Sequence, residues 1–280
     1  MFPPFVKALA AVALACAATA QARELRVCAD PDSMPYSRQD QSGFENRIAA
    51  LAADALGATL VYTWYPQHRG FVRKTVAENR CDVWMGVPSN FDGMLTTRPY
   101  YRSTYVFVFT DQKPLVSFDQ PNLRQLRIGV QLPGEDLVAT PPGYALASRG
   151  AADNVTGFTV LGKGTSAERI IDAIAEGRLD AGVVWGPQAA FFARQRNLEL
   201  SPARAPADVP LPFVFSISVG VKHGEEALRN ELDTVLVQRR GEIDRILAEY
   251  SVPRVSTAAD LNAMAGNRWS SSAAASTAAK

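Results

Sequence analysis

A six-residue pattern that occurs twice constrains this chain more than any other feature. Ala77-Glu78-Asn79-Arg80-Cys81-Asp82 leads into the apolar run Val83-Trp84-Met85-Gly86. At an offset of 98 (Ala77 to Ala175), Ala175-Glu176-Gly177-Arg178-Leu179-Asp180 leads into Ala181-Gly182-Val183-Val184-Trp185-Gly186. Upstream, Leu25-Arg26-Val27 is echoed by Leu126-Arg127-Ile128 at an offset of 101 (Leu25 to Leu126). Two segments of similar length therefore begin with a strand and reach a helix-to-strand junction at the same point. Two copies are too few for a solenoid. The pattern predicts two similar α/β lobes, with a ligand or partner held in the cleft between them.

Hydrophobic periodicity fills in the order. Leu25–Ala29 reads as a strand ended by the loop Asp30-Pro31-Asp32-Ser33-Met34-Pro35. A helix is predicted from Phe44 to Leu56, a strand over Thr59–Trp64, a short helix over Phe71–Glu78 and a strand over Asp82–Met85. The order βαβαβ implies a parallel sheet with helices on its faces. The second lobe restarts at Leu126–Val130, with helices near 141–149 and 166–176, a strand at Ala181–Trp185 and a helix at Gln188–Gln195. Thr165 and Glu168 form a capping-box pair, and Gly177 closes that helix. Tyr105–Thr110 and Phe213–Val221 share a β-branched and aromatic character and read as two crossings between lobes. Glu225–Tyr250 is predicted helical and returns to the first lobe.

Residues 1–22 read as a cleavable export signal: Lys7, an apolar run from Ala8 to Ala18, then Ala20-Gln21-Ala22. A lipoprotein signal at Cys16 is the alternative. The run is too short to span a bilayer, so no membrane insertion is expected after cleavage. The expected division is 1–22 leader, 23–106 plus 217–253 first lobe, 107–216 second lobe, and 254–280 a disordered Ala/Ser/Thr-rich tail. Without Lys7, twenty-eight bases face twenty-eight acids. That balance gives no basic surface for nucleic acid. Cys28 and Cys81 remain in the exported chain, in the first strand of lobe one and at the opening of a neighbouring one. A disulfide is expected in an oxidising compartment, with two buried thiols as the other possibility.

Catalytic signatures are missing. There is no Gly-x-Ser-x-Gly elbow, no Cys-x-x-Cys and no His-Glu-x-x-His. The two histidines, His68 and His223, stand without a supporting ligand cluster, so neither a metal nor a cofactor of its own is expected. Gly157 to Thr165 misses a P-loop by one residue, although Gly164-Thr165-Ser166 offers free backbone N–H groups at a helix start. Ligands of open α/β sheets lie beyond the carboxyl ends of the strands. Those ends carry Asp30, Met34, Tyr36, Tyr65, Arg69, Met85, Val87 and Phe91 in lobe one. In lobe two they carry Gln131, Leu132, Gly134, Trp185, Pro187 and Gln188. This set is mostly aromatic and apolar, which suits an apolar ligand or an inserted protein side chain, and each aromatic equally suits a core.

The lobe order, the two crossings and the helical finish resemble the periplasmic solute-binding proteins of family 3, over about residues 24–253. The resemblance implies a type II two-lobed periplasmic-binding-protein-like fold, each lobe a doubly wound, mostly parallel sheet. That family clamps its ligand's α-carboxylate with an Arg after the third strand and a Gly-Thr-Thr-like loop in the second lobe. Here Gly86-Val87-Pro88-Ser89-Asn90-Phe91-Asp92 has no Arg, and Glu135-Asp136 stands where hydroxyl donors belong. Two acids there repel a carboxylate.

A narrower group fits better. Cys81 to Pro88, Leu95-Thr96-Thr97-Arg98-Pro99-Tyr100-Tyr101-Arg102-Ser103, Thr140-Pro141-Pro142 with Arg149-Gly150, and Trp185-Gly186-Pro187 look like the J-type binding-protein-like components accompanying quinoprotein alcohol dehydrogenases. This resemblance implies a periplasmic, non-enzymatic helper. Its partner would be a PQQ-dependent (methanol) alcohol dehydrogenase, whose maturation or activation it assists. The alternative is a receptor that delivers a small solute to an ABC importer.

Overall fold

The computed structural model describes residues 23–68, 70–132 and 140–255. The expected leader, Arg69, Gly134 with its neighbours, and the tail from 256 lie outside the described residues. The first lobe opens with β1 (Glu24–Ala29) and a small hairpin, β2 (Asp32–Ser33) with β3 (Ser37–Arg38). It continues through α1 (Phe44–Ala55), β4 (Thr59–Trp64), α2 (Phe71–Lys74), β5 (Val83–Pro88) and β6 (Leu95–Thr96). β7 (Tyr101–Phe109) leaves that lobe. The second lobe holds β8 (Ile128–Gln131), α3 (Pro141–Ser148), β9 (Val155–Phe158), α4 (Ser166–Ala175), β10 (Ala181–Trp185), α5 (Gly186–Gln195) and β11 (Glu199–Pro202). β12 (Val214–Val221) returns, and α6 (Glu226–Gln238) and α7 (Arg240–Glu249) finish the fold.

Among the described residues, the strands run β4-β1-β5-β12-β7-β10-β8-β9 through one continuous sheet. Its two ends are parallel: β1 pairs β4 and β5, while β8 pairs β10 and β9. The middle is antiparallel. Tyr101 to Thr104 of β7 pair with β12, and Tyr105 to Phe109 of the same strand pair with β10. One strand thus passes from lobe to lobe, and β12 brings the chain back. Separate cores flank each half. Phe44, Ile48, Val83, Leu232, Ile243 and Leu247 are buried in the first. In the second lobe Phe107, Ile128 and Leu146 pack one face, and Ile170, Ile171 and Phe192 the other.

The doubled motif joins each lobe to its own first strand. Arg26 grips Asp82 with both nitrogens, Nε at 2.8 Å and Nη2 at 2.6 Å, and its Nη1 donates to the Asn79 carbonyl. Arg127 does the same to Asp180, Nε at 3.1 Å and Nη2 at 2.8 Å, while Nη2 also donates to the Gly177 carbonyl. Asn79 and Gly177 occupy the same motif position, and both have left-handed backbone, φ 59° and 73°. At Gly177 that conformation ends α4, and in both copies it turns the carbonyl toward the Arg. Lys113 adds a third cationic contact to Asp180, which is 6 % exposed. Hydrogen bonding by Arg127 holds the Asp180 carboxyl well below the usual carboxylate range. Bidentate Arg–carboxylate pairs of this kind fix geometry as well as charge.

Several boundaries differ from the sequence expectations. The predicted helix over Phe71–Glu78 stops at Lys74, because Thr75 leaves helical geometry and its hydroxyl bonds the Phe71 carbonyl at 2.7 Å. The single helix expected over Glu225–Tyr250 is two. Arg239 breaks it with φ −97° and ψ 17° and ties to Asp54 and Glu242, so that both pieces reach the first core. Residues 254 and 255, placed by the sequence in the tail, belong to the described fold. Val255 is buried and donates its N–H to Arg102, and the Pro253 carbonyl takes the Ser103 hydroxyl at 2.6 Å. Cys28 and Cys81 form a disulfide between neighbouring strands, with Cα atoms 5.6 Å apart.

Candidate functional site

A cavity of about 320 Å³ opens between the lobes at the carboxyl ends of β1, β8 and β10. Lobe one contributes the loop after β1. This loop is tied to α1 by backbone bonds from Phe44 to Pro35 and from Glu45 to Tyr36, and the Asn46 side chain takes the N–H groups of Arg38 and Gly43. The result places Asp30, Asp32, Ser33 and Tyr36 on one wall, with Gln67 beside them. Asp30 accepts the N–H of Asp32 at 2.8 Å and of Gln67 at 2.5 Å, so backbone dipoles meet its carboxylate.

Lobe two builds its wall around Gln131. Its amide oxygen takes the Trp185 N–H at 2.7 Å, and its amide nitrogen reaches Gln188 at 2.9 Å and Ser166 at 3.2 Å. Thr140 bonds its backbone carbonyl at 3.1 Å. One glutamine thus locks the end of β8 to β10, α4 and α5. Thr165 caps α4 by accepting the Glu168 N–H at 3.1 Å, and the apolar face of that helix is buried on the sheet. Trp185 closes the back of the cavity. It stands edge-on to Tyr105 (5.3 Å) and Phe215 (5.7 Å) and also packs on the lobe-one core. Burial pushes the Tyr105 hydroxyl up to about 12. Burial also raises Tyr36, helped by the nearby Glu45 and offset in part by a side-chain hydrogen bond with Trp185.

Of the residues singled out from sequence, Asp30, Tyr36, Gln131, Leu132, Trp185 and Gln188 line this cavity. The others lie elsewhere, or outside the described residues in the case of Arg69 and Gly134. Met34 crosses to pack against a lobe-two core beside Phe191. Met85 is buried in the main core of the first lobe and Val87 in the cluster around the disulfide, so neither side chain lines the cavity. Tyr65 and Phe91 join the aromatic cluster of Phe71 and Trp84 around the disulfide. Pro187 is buried near the start of α5, where its missing N–H costs no helix bond. The wall is mixed rather than mainly apolar: Asp30, Asp32, Ser33, Gln67, Gln131, Thr140, Thr165, Ser166 and Gln188 stand beside Tyr36, Tyr105, Leu132, Val160 and Trp185.

Sequence reasoning missed some of these wall residues, and for some a signal existed. Asp32 and Ser33 sit in the same Asp/Pro-rich loop as Asp30, and Gly164-Thr165-Ser166 had been noted only as a helix start. Tyr105 was assigned to a crossing strand, which is where it lies. Gln67 had no signal, since its place depends on a loop held by Asp30.

No family model matches the chain. MoxJ of Methylorubrum extorquens is 31 % identical over 251 residues, covering 85 % of this chain and 83 % of that protein. MoxJ of Paracoccus denitrificans is 31 % identical over 258 residues, covering 87 % and 94 %. The crystal structure of the periplasmic binding protein XoxJ from Methylobacterium extorquens AM1 superposes with a TM-score of 0.70 at 34 % identity, over 83 % of this chain and all of that one.

Proposed function

Because this chain belongs to the family of periplasmic binding proteins that includes MoxJ and XoxJ, we propose that it is an exported, non-enzymatic helper of a PQQ-dependent alcohol dehydrogenase. In this reading it works in the periplasm, associates with the dehydrogenase and assists its maturation or activation. The observation that carries the reading is electrostatic. The cavity presents Asp30 and Asp32 and, among the described residues that line it, no Lys or Arg, so these carboxylates repel the carboxylate of an amino-acid ligand. A binding-protein frame without that clamp suits a protein partner.

The test is a pull-down with the purified dehydrogenase. Wild type and Phe91→Ala, whose ring packs away from the cavity, retain the partner, while Trp185→Ala loses it. Equal retention by all three sinks the cleft as the contact. A second reading, a receptor delivering a small solute to an importer, draws support from the mixed polar and apolar lining and the volume of about 320 Å³, which suit a compact ligand. It requires a metabolite that raises the melting temperature by mass action.

A further inference from the structure

The cleft does not end at the main cavity. A second chamber of about 200 Å³ adjoins it, and the two share Asp32, Gly164 and Thr165. The chambers differ in character. The first holds Asp30 and the nine-tenths-buried Gln188, whose amide oxygen is taken by Gln131. The second is walled by Met34, Phe191 and Phe192, with Glu168 at its side.

We propose that this two-chamber groove holds an extended basic segment of a partner protein. The inference rests on the partner-protein reading above. Three features of the groove select the segment. Asp30, Asp32 and Glu168 face it, and the one base lining it among the described residues, Arg38, lies 3.8 Å from Asp32 and 3.9 Å from Asp40, shared with a carboxylate that lines neither chamber. Glu168 has its own distant partner in Arg196, 3.6 Å away. The groove therefore keeps negative charge for a lysine or arginine side chain. The Gln188 side chain lines the first chamber, where its amide N–H groups can donate to a peptide carbonyl. The Met34–Phe191–Phe192 chamber takes an apolar side chain further along the same strand. A compact solute fills one chamber, whereas an extended peptide with alternating side chains occupies both.

The experiment measures binding of labelled peptides to the full exported chain by fluorescence anisotropy. The probes are acetyl-Lys-Leu-Lys-Leu-amide and its counterpart with Glu for Lys, with free lysine as a competitor. The basic peptide is expected to bind at least about tenfold tighter than the acidic one or free lysine. Asp32→Lys should weaken it by about tenfold or more, while Asp40→Lys, at another exposed acid that also sits near Arg38, should leave it unchanged. Equal binding of the acidic peptide, or equal loss in both variants, overturns the groove. Free lysine binding as tightly as the peptide overturns it in favour of a small-solute site. Peptide binding without dehydrogenase capture leaves the groove chemistry standing and removes the dehydrogenase. Capture without peptide binding does the reverse.

Discussion

Replacing Glu45 with Gln should remove a pH dependence that the fold itself creates. Glu45 lies in the first turn of α1, 7 % exposed, next to Tyr36, Tyr62, Tyr100 and Tyr101, and burial raises its carboxyl to about 8. Among the described residues, no cation offsets the burial. In the unfolded chain the same group sits at its ordinary value of about 4.5. The folded state therefore binds the proton more tightly, and the stability this confers is full below the unfolded value. It falls as pH rises between the two values and is flat above about 8. At 1.36 kcal/mol per unit, the stability lost by pH 7 is on the order of 3 kcal/mol, and by pH 9 roughly 5 kcal/mol. Urea denaturation of wild type and Glu45→Gln at several pH values between 5 and 9 tests this. The difference between the two proteins should grow in favour of the variant as pH rises and level off near the folded value. Other carboxylates contribute equally to both proteins and cancel. Two stability curves that stay parallel across the range would refute a buried neutral carboxyl.

Further consequences concern the same elements. Gly86 has no room for a methyl group, since a Cβ there would lie 2.2 Å from Glu45 Oε1. Gly86→Ala should therefore cost about 1–3 kcal/mol, with much of the loss recovered in a Glu45→Ala background. Asp180→Asn should destabilise the second lobe by about 1–2 kcal/mol at neutral pH, because it weakens the charge-assisted hydrogen bonds from Arg127 and Lys113, whose half-exposed cations stay solvated. That gap should close as pH falls below the carboxylate range, since a carboxyl held low by its partners loses its contribution only on protonation. Replacing both Cys28 and Cys81 with Ala should lower stability by about 4 kcal/mol for a 53-residue separation in the chain-entropy model, read from the shift in denaturation midpoint.

Much of this architecture was legible in the residues because it follows local rules. The strands Thr59–Trp64 and Ala181–Trp185 and the capped start of α4 were read correctly from alternation, turn residues and the Thr165 cap. The doubled motif announced two lobes, yet its chemistry was hidden. Nothing in Ala-Glu-x-Arg-x-Asp says that its Asp pairs with an Arg from the Leu-Arg-Val echo 56 residues away in lobe one and 53 in lobe two. Those long-range pairs place the motif at the end of the sheet opposite the cleft, so the repeat marks the frame rather than the binding wall. The site was harder to read. Strand ends were located, but which alternate residue faces the cleft depends on sheet register, and Met85 and Val87 fell into the cores. Met34 crosses to the other lobe, which no local pattern encodes. Gln67 is placed only through Asp30.

The central claim is that the cleft between the lobes binds a partner protein, and affinity for the purified PQQ-dependent alcohol dehydrogenase tests it most directly. Interferometry should show a saturable complex with the wild-type chain. Trp185→Ala should weaken it by about 2 kcal/mol, roughly thirtyfold, as expected for an aromatic anchor at the back of a cavity. The contradicting result is no complex with the dehydrogenase, together with a small solute that raises the melting temperature of the wild type and not of Trp185→Ala.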